Sequence, residues 1–144
     1  MSAYKRVLLV VDLSDNSEHI GRRARAVAEA NGAELELLHV LESVPIEPMG
    51  ETLMPALEVE QELIERARRR LSELAVKLGL TESPCYVAAG NIKSEILRTA
   101  TDHQVDLIVM GARERHGLAI LVNFTEDTVL HAAPCDVLAI RVRD

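Results

Sequence analysis

Five short aliphatic runs, separated by stretches with helical periodicity, constrain this chain more than any other feature. Residues 6–11 read RVLLVV, 34–40 ELELLHV, 84–89 PCYVAA, 105–110 VDLIVM and 137–142 VLAIRV. Runs of this length and composition suit strands buried on both faces. Between them, Ile20, Ala24, Val27 and Ala28 form one helical stripe. Leu57, Ile64, Leu71, Leu74 and Leu78 form a second, and Ile92, Ile96, Leu97 and Ala100 a third. Ser14 or Ser17 starts the first helix and Gly32 stops it; Gly79 closes the second and Gly90-Asn91 turns into the third. Residues 125–132 read as a fourth helix, stopped by Pro134.

The result is a β-α-β alternation throughout, which implies an α/β fold: a single open five-stranded parallel sheet with helices on both faces. The length of 144 residues suits one domain, expected over residues 1–144. Aromatics are only 2% of the chain, so Val, Leu, Ile and Ala must build the core. Residues 41–55 carry Pro45, Pro48, Gly50 and Pro55 and are expected to be a long loop; residues 111–124 are expected to be another.

Charge and motifs narrow the function. The formal net charge is −7, which argues against a nucleic-acid partner and against an anionic membrane surface. Residues 1–15 lack the apolar core of a signal peptide, and no run of about 18 apolar residues occurs; the expected location is the cytoplasm. Cys85 and Cys135 lie in apolar stretches and are expected to be buried free thiols. The five histidines lack metal-site spacing. His39 is expected to be a hydrogen-bonded strand-end residue, and His103 and His131 helix-surface residues. No GxSxG, Walker A or GxGxxG pattern marks an enzyme or a dinucleotide site.

In open α/β sheets, ligands bind beyond the carboxyl ends of the strands, where strand order reverses. Here those ends carry Val11 and Asp12, Val40, and Met110 with Gly111. VVDLS at 10–14, Gly90-Asn91, DLIVMGARERHGL at 106–118 and HAAPCDVLAIRV at 131–142, in that order, resemble the universal stress protein family. The resemblance spans essentially the whole chain. It implies a Rossmann-like sheet of strand order 3-2-1-4-5, related to adenine nucleotide alpha-hydrolases. It also implies a homodimer paired through residues 137–142, with other proteins as possible partners. Nucleotide-binding members of that family carry G-x2-G-x9-G-[S/T] after the fourth strand. Gly111 matches the first glycine and Thr125 the hydroxyl, but Glu114 and Phe124 stand at the other two glycine positions.

That departure matters physically. A carboxylate about 4 Å from a phosphate costs on the order of 4 kcal/mol at an effective dielectric of about 20. Phe124 adds bulk where glycine lets backbone N–H groups approach phosphate. Arg113, Arg115 and His116 offer positive charge in return, and Asp12 is placed for a ribose hydroxyl. The expected crevice is therefore Val11, Asp12, Val40, Met110, Gly111, Arg113 and Thr125. No cofactor is certain; the ligand implied is ATP or AMP with Mg²⁺, bound weakly or lost. No catalytic or metal-ligating residue is expected. The expected function is a non-enzymatic stress-response module, with an ATP/AMP-binding switch as the alternative. The bland readings are that Asp12 caps the following helix and that Arg113–Glu114–Arg115 is a solvated turn.

Overall fold

The aliphatic runs become a five-stranded parallel sheet because each is flanked by a helix long enough to return the chain to the same edge. The computed structural model describes residues 3–42, 53–113, 129 and 131–142, and only the backbone of 53–57 and 113. In chain order the elements are β1 (Arg6–Val10), α1 (Ser17–Asn31), β2 (Glu34–Glu42), α2 (Leu53–Lys77), β3 (Cys85–Gly90), α3 (Ile92–Asp102), β4 (Leu107–Arg113) and β5 (Asp136–Val142). Residues 129, 131 and 132 are helical. The strand order is β3-β2-β1-β4-β5 and every pairing is parallel.

Alternation along the strands divides the core in two. Val7, Leu9, Leu35, Leu37, Leu107 and Val109 face α1 and α2. Leu8, Leu38, Val40, Ile108 and Met110 face α3 and Val129. The chain winds outward from β1 to β3 with helices on one face, then crosses to β4 and winds the other way with helices on the second. Right-handed crossovers require that change of face.

Local signals account for the helix ends. Gly32 ends α1 in the left-handed conformation at φ 62°, with its N–H on the carbonyls of Ala28 and Glu29. Asn91 caps α3 by accepting from the Ser94 N–H at 2.9 Å. Gly21 lets α1 approach α2, since a Cβ there would collide with buried Leu78.

Several expected boundaries move. Leu41 and Glu42 are strand rather than loop, because they continue the β2 ladder against Ala89 and Gly90. Gly111, Ala112 and Arg113 are strand rather than loop, paired with Ile140, Arg141 and Val142. β4 starts two residues later than expected because Asp106 turns its carboxylate onto the N–H groups of Lys5 and Arg6. Residues 53–55 belong to α2; a proline in a first turn forfeits no intrahelical bond. Of the expected fourth helix, residues 125–128 and 130 lie outside the described residues, as does most of the 41–55 segment.

The thiols also differ from expectation. Cys85 and Cys135 are free but half-buried, and burial pushes both thiols above their ordinary value. They sit at opposite edges of the sheet. Four strand spacings separate them, on the order of 19 Å, far beyond disulfide reach.

Candidate functional site

The strand ladders open a crevice at the carboxyl edge. The β1–β4 register ends at Leu9↔Val109, whereas β4 continues with β5 to Arg113↔Val142. β1 instead stays with β2: Val11 N–H donates to the Leu38 carbonyl at 3.0 Å. His39 closes the other side, its Nδ1–H donating to the Val11 carbonyl at 2.8 Å. The strands on either side of this gap wind in opposite directions, which is where open α/β sheets bind ligands.

Val11 and Asp12 follow β1 beside this gap, while Val40, Met110 and Gly111 lie two to three residues inside the carboxyl ends of β2 and β4. Val11, Val40 and Met110 point into the two cores, so they offer a ligand backbone rather than side chains. Asp12 is exposed. Its Oδ1 accepts from the Ser14 N–H at 2.9 Å and the Ser17 hydroxyl at 3.3 Å. The carboxylate thus serves the start of α1, whose N-cap Asn16 makes no side-chain cap bond. Gly111 is packed: a Cβ there would stand 2.6 Å from Cδ1 of Ile20. Arg113 ends β4. Glu114, Arg115, His116, Phe124 and Thr125 lie outside the described residues.

Between Asp12 and α1 the chain makes a turn that sequence reading missed. Leu13 is left-handed at φ 60°, a conformation that costs a side-chain-bearing residue about 1–2 kcal/mol. Its side chain is buried in the core beneath α1 and α2, and its carbonyl accepts from the Arg70 guanidinium at 2.5 Å. A cavity of about 240 Å³ lies behind this turn, lined by Ser14, Ser17, Arg70 and Lys77 among others. Nothing in the local sequence marks Arg70, because its partner is 57 residues away.

His103 is a second departure. It is half-buried rather than a surface residue: Nδ1 lies 2.7 Å from Oε2 of buried Glu36, and its ring meets Tyr86 edge-on at 5.0 Å. It joins the end of α3 to β2 and β3. His39 makes the hydrogen bond expected of it.

The model of the "Universal stress protein family" matches residues 3–141. The chain belongs to that family. Among curated relatives, "Universal stress protein A homolog 2" of Coxiella burnetii is 33% identical over 144 residues, covering 99% of each chain. A Thermus aquaticus universal stress protein is 31% identical over 96% of this chain and 99% of its own. Among solved structures, universal stress protein UspA from Lactobacillus plantarum aligns with a TM-score of 0.74 at 27% identity, over 98% of this chain and 100% of its own. A universal stress protein in complex with cAMP aligns with a TM-score of 0.64 at 21% identity, over 96% of this chain and 98% of its own. The sheet order of this family member is the one the resemblance implied.

Beyond Leu9↔Val109, β1 and β4 share no ladder at this edge. Among the described residues, no three His, Cys, Asp or Glu side chains gather as a metal site. No helix among the described residues is long and apolar enough to cross a membrane.

Proposed function

We propose that residues 1–144 act as one domain, a non-enzymatic regulatory member of the universal stress protein family working in the cytoplasm as a homodimer, with nucleotide held weakly or not at all. What carries this reading is the double duty of Asp12 and Gly111. The carboxylate is engaged by Ser14 and Ser17, and the glycine packs against Ile20, whose Cδ1 a Cβ would displace. Capping and packing thus account for both residues without a ligand. The remaining motif glycines are replaced by Glu114 and Phe124.

The test is calorimetric titration of nucleotide-stripped protein with ATP and Mg²⁺. The expected outcome is no binding heat up to millimolar ATP. A micromolar Kd would overturn the weak-binding reading.

The dimer is supported by the position of β5 at a sheet edge. Its outer backbone groups need cover. Antiparallel pairing about a two-fold through the middle of β5 brings exposed Ala139 opposite its own copy. Ala139→Glu then sets like charges face to face and should shift sedimentation from dimer to monomer. A wild-type monomer at micromolar concentration would sink the dimer.

A second reading, an ATP- or AMP-responsive switch, draws on the relative described in complex with cAMP and on the open β1–β4 gap. It requires Asp12→Ala and Gly111→Trp to abolish nucleotide affinity.

A further inference from the structure

One peptide group beside the crevice is held at its two ends by opposite charges. In a trans peptide the C=O and the N–H point in opposite directions. The Leu13 carbonyl accepts from the Arg70 guanidinium at 2.5 Å. The Ser14 N–H, which belongs to the same peptide group, donates to Oδ1 of Asp12 at 2.9 Å. A cation and an anion thus sit at the two ends of one dipole. Both hydrogen bonds are charge-assisted, and bonds chained through a polarisable group strengthen one another.

Local sequence does not favour this use of an arginine. Arg70 stands in the lower half of α2, where Ala67, Leu71 and Leu74 pack on the sheet. Glu18 and Glu73 line the same cavity as Arg70, yet among the described residues its guanidinium makes no ion pair. It goes instead to a neutral carbonyl 57 residues away in the chain. That carbonyl belongs to Leu13, the left-handed residue at φ 60°. A residue with a side chain keeps such a conformation only where its surroundings over-determine it, and such places gather at ligand clamps and switches. On the other flank of Asp12 the sheet does the holding. Val11 N–H donates to the Leu38 carbonyl, and the Val11 carbonyl accepts from His39. Asp12 is therefore fixed by β2 on one side and by α2 on the other.

We infer that Arg70 is a positioning residue for Asp12, acting through the Leu13–Ser14 peptide group, so that α2 sets where the strand-end carboxylate points. Without the guanidinium the peptide plane is free to turn, and the carboxylate loses the N–H that holds it on the start of α1. Without the carboxylate, the carbonyl loosens from Arg70. The coupling is reciprocal, as linkage requires. A hydroxyl or cation that draws on Asp12 from the crevice is thereby felt at α2, and a displacement of α2 releases Asp12. The inference concerns the protein without ligand, so it stands whether or not the crevice holds nucleotide.

The experiment uses the isotope-labelled full chain with no ligand present. Amide exchange at Ser14 is measured by NMR as a ratio to exchange at Leu37, whose N–H is bonded to the Pro84 carbonyl and reports opening of the sheet. Arg70→Met keeps an apolar stem and removes the donor; it should raise the ratio about ten-fold or more, and Asp12→Ala should do the same. Combining Arg70→Met with Asp12→Ala should add no more than about two-fold to the larger single effect, because the second change removes a bond already lost. The Arg70 guanidinium resonances should move on Asp12→Ala and stay in place on Asp15→Ala, which removes another carboxylate lining the cavity. Lys77→Met, which removes the cavity's other cation, should leave the Ser14 ratio unchanged. Arg70 is at an exposed position, and Arg70→Gln, a milder change, should give the same pattern at smaller amplitude. Single effects that multiply in the double variant overturn the inference. So does an unchanged Ser14 ratio in Arg70→Met, or a guanidinium signal that ignores Asp12→Ala or responds equally to Asp15→Ala.

Discussion

The two halves of α2 share one apolar repeat but not one environment. The lower half lies over β2 and β3 and has lost its water; the upper half runs on past the carboxyl edge of the sheet with Val59 and Leu63 exposed. Periodicity states which face of a helix is apolar, not whether anything covers it. The difference teaches that the same leucine pattern can be a core in one turn and a surface two turns earlier.

The largest test of this contrast is a pair of truncations. Leu71, 0% exposed, should cost about 2–5 kcal/mol as Leu71→Ala. Leu63→Ala should stay within about 0.5 kcal/mol of wild type. Equal losses by denaturant titration would mean that the upper half is packed after all, and the contrast would fail.

A smaller effect is expected where the lower half reaches toward the crevice. Arg70 holds the Leu13 carbonyl in its left-handed turn. Arg70→Ala should destabilise by about 1.5–3 kcal/mol, the range of a hydrogen bond to a charged group. Amide exchange at Leu13 and Ser14 should quicken before the sheet opens. A stability loss without local exchange would assign Arg70 to general packing instead.

The smallest effect is chemical. Cys85 packs against the same core as the lower half of α2, and burial pushes its thiol above the ordinary 9.0. Iodoacetamide at pH 8 should alkylate Cys85 slowly, and the thiol introduced by Leu63→Cys at least ten-fold faster. The fold favours the neutral thiol, so its contribution to stability is complete below about pH 9. That contribution falls as pH rises through the higher folded value. Comparable alkylation rates would erase the difference between the two environments.

Much of the architecture was legible along the chain. Aliphatic runs of strand length are local, and so are the stop at Gly32 and the start at Asn91, so β1 to β5 and α1 to α3 follow from neighbours in sequence. The parallel topology and the place of Asp12 just after β1 follow from the same reading, whereas Val40 and Gly111 proved to lie inside β2 and β4. Less legible were the functions of single residues. Asp12 looked equally like a ligand contact and a cap, and only the distances to Ser14 and Ser17 display the cap. His103 looked like a surface residue because Glu36 and Tyr86 come from strands 67 and 17 residues away in the chain.

By itself, then, the sequence determined the alternation, the apolar faces, the loss of two motif glycines and the family resemblance, since each rests on residue type and short-range order. Only the tertiary structure decided where β4 ends, that Gly111 packs against Ile20, how Arg70 meets Leu13, and which half of α2 is covered. Those outcomes depend on pairs of atoms brought together from distant segments, and no local pattern encodes a distance between them.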